Sequence, residues 1–250
     1  MLQALKQTLL TRGPFAQAHM GYWIRSSAFK HYFEKEIRGR SIRRVLDAGC
    51  GDGAYAIDIA RRMPEAEVVG MDILRSPAWD ERRLANLSFS QRDLHQLDEH
   101  ETFDLVVSVD SLEHMKDNRL VMRAFWRALR PGGLLYLAMP LDKHDRSFLP
   151  ARWYAFHKDW ADDEHIGEQY ELDQLAGVLR EMGFSIRLAR HTFTVWGRLS
   201  WELQTALHRG PVLSKLRTLG IPLFKLLGLM DIHAPIGEGH NLIIAEKPKA

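Results

Sequence analysis

The chain carries one cysteine in 250 residues, Cys50, so no internal disulfide can form and the composition suits a reducing compartment. A surplus of either charge is also missing. Lys and Arg number 34 against 32 Asp and Glu, which removes any global field for polyanions, predicts no specific nucleic-acid binding and leaves only local basic patches. Internal repeats and low-complexity segments are absent. Met1 to Leu10 is short, amphipathic and broken by Lys6, without the long apolar region or small-residue cleavage site of a signal peptide, so it is expected to stay in the mature protein. The late apolar stretch is interrupted by Pro222 and Lys225, which excludes a membrane crossing. With 46% hydrophobic residues, the chain is long enough to bury one full core, as a single soluble domain.

The most informative stretch is Val45-Leu46-Asp47-Ala48-Gly49-Cys50-Gly51-Asp52-Gly53. Ile42 to Leu46 has the β-branched and apolar residues of a buried strand, and Ala56, Ile57, Ile59, Ala60 and Met63 recur at helical spacing from Ala54 to Met63. Between them, glycines permit positive φ and close approach of a ligand to the main chain, while the N–H groups of the new helix face whatever sits there. A tight turn without a ligand needs only one such glycine. Gly49, Gly51 and Ala54 satisfy G-x-G-x-x-G/A, which by itself separates no nicotinamide site from an S-adenosylmethionine site. Asp47 argues for the second kind, because a carboxylate two positions before the first glycine repels a pyrophosphate and attracts an ammonium. Cys50 inside this turn reads as a small residue that fits, since no His is paired with it locally.

Further acids stand where later strands should end. Glu67 to Met71 closes on Asp72, whose carboxylate can accept both hydroxyls of a ribose. Leu87 to Gln91 precedes Asp93-Leu94, suited to an adenine amino group and ring. Phe103 to Val109 ends in Asp110. Arg130-Pro131-Gly132-Gly133 reads as a turn into a fifth strand, Leu134 to Met139, that stops at Pro140. Each acid alone is commonly a solvated loop residue; a series of them at consecutive strand ends is not a usual accident.

As an ensemble, Ile42 to Met139 resembles the class I S-adenosylmethionine (SAM)-dependent methyltransferases. The resemblance implies a Rossmann-like α/β fold: a doubly wound, seven-stranded, mostly parallel sheet with an antiparallel last strand. It implies that Asp47, Gly49, Gly51 and Gly53 hold the methionine part of SAM, Asp72 and Ile73 the ribose, Asp93 and Leu94 the adenine, and that Val109 and Asp110 line the floor beside the sulfonium. Val109-Asp110-Ser111-Leu112-Glu113-His114 most resembles the subgroup acting on small molecules, including quinone precursors. No Asn-Pro-Pro-Tyr or Asp-Pro-Pro-Tyr follows strand four, against a DNA-base or protein-amide N-methyltransferase. Asp110, Glu113 and His114 form D-x-x-E-H, similar to the E-x-x-E-H associated with a divalent metal in quinone O-methyltransferases, so Mg²⁺ or Mn²⁺ is a second expected cofactor. The competing reading has Glu113 capping a helix and His114 packing against it.

Outside that core, residues 1–41 are expected to form a helical cap before a 42–250 catalytic domain, with Phe15, His19, Tyr22, Trp23, Phe29, Tyr32 and Phe33 either covering the cofactor or simply packing. An insertion over 141–170 carries His144, Trp153, Tyr154, Phe156, His157, Trp160 and His165, and either walls the acceptor pocket or is a solvated loop. Glu171 to Met182 has helical spacing and ends at Gly183. Phe184 to Val195 then reads as strand six and Asn241 to Glu246 as strand seven, beside it and antiparallel. The 196–239 insertion between them places Arg198, Arg209, Lys215, Arg217 and Lys225 among many leucines, which suits either an anionic membrane surface or a face buried against protein.

The expected function is SAM-dependent methyl transfer to a small-molecule or lipid-linked acceptor, at a hydroxyl oxygen. His114 is the first expected base and His157 the second, in a cytoplasmic protein that is peripheral on a membrane if the late insertion is interfacial. A quinone-type C-methyltransferase or other SAM-derived transfer is the rival within enzymes. A non-catalytic SAM-fold scaffold is the rival outside them, and an NAD(P) oxidoreductase is disfavoured by Asp47. The oligomeric state is open.

Overall fold

The computed structural model describes residues 19–141, 148–150, 165–207 and 210–249, with the side chains of 210–215 left aside. His157 lies outside the described residues, as do 1–18. The rest divides into two compact units, one drawn from 19–38, 148–150 and 191–240 and the other from 39–141, 165–190 and 241–249.

The second unit is a seven-stranded sheet: β1 (Arg44–Ala48), β2 (Glu67–Asp72), β3 (Leu87–Gln91), β4 (Phe103–Val109), β5 (Leu129–Met139), β6 (Ser185–Thr192) and β7 (His240–Glu246), in the order β3-β2-β1-β4-β5-β7-β6. β1 pairs in parallel with β2 and β4, as do β2 with β3 and β4 with β5, while β7 runs antiparallel to β5. The order reverses between β1 and β4, the crevice where open α/β sheets bind ligands. The fold is thus the Rossmann-like α/β sheet expected, with β7 inserted between β5 and β6.

β1 is displaced from the expected Ile42–Leu46 and includes Asp47, buried in the parallel pairing with Gly70. β5 starts five residues earlier than the apparent turn allowed. Gly132 takes φ +82, yet its N–H donates to the Lys247 carbonyl and the Lys247 N–H donates to the Gly133 carbonyl, so the sheet continues through Arg130-Pro131-Gly132-Gly133. β6 stops at Thr192 instead of Val195, because a helix begins there.

The helices of this unit are α2 (Ala54–Arg62), α3 (Asn118–Ala128) and α4 (Leu172–Glu181). α3 turns Val121, Met122, Phe125 and Ala128 inward, α4 turns Leu175 and Leu179 inward, and both join a core with Leu46, Val106, Leu135 and Ile243. α4 opens on a capping box, Glu171 with Gln174, and closes before Gly183 at φ +99.

The first unit holds α1 (Met20–Tyr32), α5 (Val195–Ala206) and α6 (Gly210–His233), so the 196–239 insertion is a pair of helices. Met20, Ile24, Phe193 and Phe224 form its core, flanked by Trp23 and Trp201. The Met20 N–H donates to Gln204 Oε1 at 2.8 Å, and the Ser200 hydroxyl to the Phe224 carbonyl at 2.8 Å. Buried Glu202 accepts from the Phe148 and Leu149 N–H groups at 2.9 and 3.0 Å. Among the described residues, no helix is long and apolar enough to cross a membrane.

Candidate active site

The expected cofactor residues gather at the carboxyl ends of β1, β2, β3 and β4, all within one unit. The turn after β1 needs left-handed backbone at Gly49 (φ +75), where a Cβ would also stand 1.8 Å from Ser111 Oγ. The segment after β4 therefore rests directly on the glycine turn. At Gly53 (φ +82), the residue before α2, a Cβ would meet the Phe89 ring at 2.6 Å.

The Gly51 peptide is held from both sides. Its N–H donates to Asp72 Oδ2 at 2.8 Å, and its carbonyl accepts from the Trp79 indole at 2.8 Å. Trp79 stacks on Phe89 with centroids 5.1 Å apart, and Arg82 pairs with Asp52 at 2.7 Å. Asp72 Oδ1 accepts from the Leu74 N–H at 3.0 Å. A carboxylate offers about four acceptor positions, so two remain for a vicinal diol. Next to it Ile73 is 59% exposed, an apolar face open to a ligand.

Asp47 is 2% exposed, and its Oδ2 has no hydrogen-bond partner among the described residues. Burial, opposed by the Ala56 backbone N–H and reinforced by the nearby Asp72 and Asp52 charges, pushes its carboxyl up to about 7. The folded protein therefore holds this proton more tightly than the unfolded chain, whose carboxyl titrates near 3.8. The resulting stabilisation is complete below that lower value and is lost as pH rises toward 7, so the ligand-free protein is expected to unfold at lower urea at pH 8 than at pH 5. Asp47→Asn should remove that component of the pH dependence. Burial and the same acids push the Cys50 thiol far up, which makes it an inert packing group.

Asp93 Oδ1 accepts from the His95 N–H and meets His95 Nδ1, each at 2.9 Å, while His95 Nε2 lies 2.6 Å from the Lys116 carbonyl. Both ring partners are acceptors, so the imidazole satisfies both when both nitrogens carry protons. The Lys116 carbonyl first, and then Asp93, hold the His95 pKa above its ordinary value. Asp93, expected to meet adenine, thus also ties its own turn to the segment after β4. Leu94 beside it is buried.

Val109 is buried, and Asp110 turns left-handed at φ +49 with its N–H on the Ala138 carbonyl. A non-glycine residue held there is a common mark of a functional turn. Beyond it, Glu113 is 1% exposed, and its carboxylate lies 3.9 Å from His114 Nε2. The His114 ring meets His165, with centroids 5.0 Å apart. Ligand-capable atoms of Glu113, His114 and His165 all fall within 4.8 Å of one another. Of the expected set of Asp110, Glu113 and His114, the last two fall in this group, and His165 from a later segment is its third member.

His165 is delivered by a buried lock. The Gly167 N–H donates to the Glu113 carbonyl at 2.8 Å, and a Cβ at Gly167 would stand 2.5 Å from the Leu112 carbonyl oxygen. The Tyr170 hydroxyl contacts Asn118 Oδ1 at 2.9 Å and Glu168 Oε2 at 2.7 Å, while Asn118 Nδ2 donates to the Glu168 carbonyl. Sequence reasoning placed His165 only in a general acceptor-side segment, and no spacing signal joins residues 51 positions apart. Trp79, buried and donating to the turn, carried no signal either.

Residues 13–189 match the family described as a methyltransferase domain. The chain belongs to that methyltransferase family. The trans-aconitate 2-methyltransferase of Deinococcus radiodurans is 34% identical over 116 residues, covering 44% of this chain and 43% of that protein. The ubiquinone biosynthesis O-methyltransferase of Acinetobacter baylyi is 25% identical over 127 residues, covering 48% and 52%. The chain thus spans about half the length of the curated relatives it matches. Among solved structures, the [4+2]-cyclase SpnF superposes with a TM-score of 0.61 at 19% identity, covering 91% of this chain and 81% of that one. The Haemonchus contortus phosphoethanolamine N-methyltransferase 2 in complex with S-adenosyl-L-methionine gives 0.60 at 20%, covering 96% and 59%. These likenesses establish the fold of this methyltransferase-family chain.

Proposed function

We propose that this chain transfers the methyl group of SAM to a hydroxyl oxygen of a small-molecule or lipid-linked acceptor. The observation that carries the reading is His114 beside the buried carboxylate of Glu113, just past the Val109-Asp110 floor. The acceptor oxygen attacks the methyl carbon in line. The new O–CH₃ bond forms as the S–CH₃ bond breaks, S-adenosylhomocysteine leaves with a neutral thioether sulfur, and the acceptor's proton passes to the His114 imidazole. Glu113 steadies the imidazolium. Alignment supplies up to about 7–11 kcal/mol and a general base about 10²–10⁴ in rate, so binding geometry is the larger contribution.

SAM is cationic at both its sulfonium and its ammonium, and it meets Asp47 favourably only when that carboxyl is ionised. With the proton binding at about 7, SAM affinity is expected to rise about tenfold from pH 6 to pH 8, and Asp47→Asn to flatten the profile. Calorimetric titrations at the two pH values check this, and a flat wild-type profile would remove Asp47 from the site.

His114→Ala is expected to lower kcat by about 10²–10⁴ with SAM affinity intact, read as S-adenosylhomocysteine release from a panel of hydroxylated acceptors. An unchanged kcat would strip His114 of the base role. An O–CH₃ signal in the product supports oxygen transfer, and a C–CH₃ signal supports the C-methylating rival. SpnF, a cyclase on this fold, is the reason the product is analysed and not assumed.

The Glu113, His114 and His165 group favours a second, metal-assisted reading. One carboxylate and two imidazoles suit Mn²⁺ better than the oxygen-preferring Mg²⁺. Bound there, an ion would lower the pKa of the acceptor hydroxyl. Activity lost to a chelator and restored by Mn²⁺ supports this reading, and chelator-resistant turnover discards it.

A further inference from the structure

A helix at a protein surface normally presents polar side chains to water. α6 does the opposite. From residue 216 to 230, every exposed position is apolar: Leu216, Leu219, Leu223, Leu226, Leu229 and Met230, from 36% to 68% exposed. The 3-4-3 spacing of the first four places them along one face, and the six positions span about 21 Å at 1.5 Å per residue. The other face is occupied, since Ile221, Phe224, Leu227 and Ile232 are buried in the same unit. A continuous exposed stripe of this kind marks an interaction surface, whereas scattered single leucines do not.

Charge identifies the occupant. Residues 203–230 contain Arg209, Lys215, Arg217 and Lys225 and no acid. The first acid after them, Asp231, is buried and accepts three hydrogen bonds from Thr194 and Gly197. A second copy laid on the stripe would bring two acid-free cationic segments face to face. Anionic headgroups complement them, and long Lys and Arg stems reach such groups while the helix sinks into the layer below.

We propose that α6 docks on the surface of an anionic phospholipid bilayer, lying in its interfacial layer on the Leu216–Met230 stripe without crossing it. This narrows the expected 196–239 segment to a single helix face, and it does not depend on the catalytic reading, because its test needs no turnover.

The test is flotation of the full chain with vesicles of phosphatidylcholine containing phosphatidylglycerol and with phosphatidylcholine alone. The wild type is expected to float with the anionic vesicles, less so as salt rises. Leu219→Ser, Leu223→Ser and Leu226→Ser combined should lower the bound fraction at least about tenfold, since each substitution withdraws an apolar side chain from the layer. Arg217→Gln with Lys225→Gln should lower the preference for phosphatidylglycerol, since two of the four cations are removed. Circular dichroism melting checks the fold of each variant. Should the triple variant fail to fold, the lipid-charge and salt dependence of the wild type still decides. Wild type that stays with neither vesicle, or a folded triple variant that floats equally well, overturns the proposal. So does sedimentation showing a wild-type dimer that the triple substitution dissolves while vesicles recruit nothing.

Discussion

Asp72→Ala is expected to weaken SAM binding by about a hundredfold or more, since a ribose diol on a carboxylate makes two charge-assisted hydrogen bonds worth about 1.5–3 kcal/mol each. The loss has a second source. Asp72 also accepts from the Gly51 and Leu74 N–H groups, so alanine leaves the glycine turn without the group that fixes its shape. Asp72→Asn separates the two contributions. One side-chain atom becomes a donor, which faces either Gly51 or Leu74 unfavourably, while the other still accepts. Its affinity should fall between wild type and alanine. Calorimetry with SAM and S-adenosylhomocysteine reads both variants, and an alanine variant with wild-type affinity would remove Asp72 from the ribose site.

The second large effect is on stability. Asp231→Ala is expected to cost about 2–4 kcal/mol, measured by urea unfolding of the full chain, because it orphans donors that water cannot reach. Thr194 precedes α5 in the N-cap position, yet its own side chain caps nothing. Asp231 Oδ1 instead takes the Thr194 N–H at 2.7 Å, the Thr194 hydroxyl at 2.7 Å and the Gly197 N–H at 2.9 Å. The Thr194 oxygen in turn accepts from the Ile236 N–H at 3.2 Å. A Cβ at Gly197 would lie 3.0 Å from the carboxyl carbon, so a larger residue there crowds the cap. Asp231→Asn keeps an accepting oxygen and should recover most of the loss. Equal stability of the alanine variant and the wild type would refute the capping role.

That cap shows where local reading of a chain stops. A Thr ahead of a helical stretch is the usual local cap, and nothing near Val195 reveals that a residue 37 positions later does the work. The strands were legible, because β3 alternates apolar and polar residues and β4 is largely apolar, each bounded by polar turns, and both match their expected limits. β5 was legible only in its second half, where Leu134 to Met139 is continuously apolar. Its first half depends on pairing with Phe103 and Lys247, and long-range pairing overrode the local appearance of Arg130-Pro131-Gly132-Gly133. Pro222 likewise reads as a breaker yet sits inside α6, whose buried face holds the helix together around it.

The site divides in the same way. Asp47 and the glycines were legible as candidates because one strand-turn-helix unit carries them, and Asp72, Asp93 and Asp110 because each stands at or just past the end of its own strand. The parts that steady them were not. Trp79 on the Gly51 carbonyl, His95 between Asp93 and Lys116, and His165 against His114 are each brought in from a separate segment.

The closeness of Gly49 and Ser111 bears on any attempt to re-engineer the acceptor choice proposed for this chain. The natural place to randomise is the segment after β4, which follows the Val109-Asp110 turn. With a Cβ at 49 already 1.8 Å from Ser111 Oγ, the two positions form one steric variable shared by two loops. A library that lets residue 111 grow would be filtered by loss of the glycine turn before any new acceptor was sampled, whereas diversity placed at 112 onward, with 111 held small, leaves that turn undisturbed.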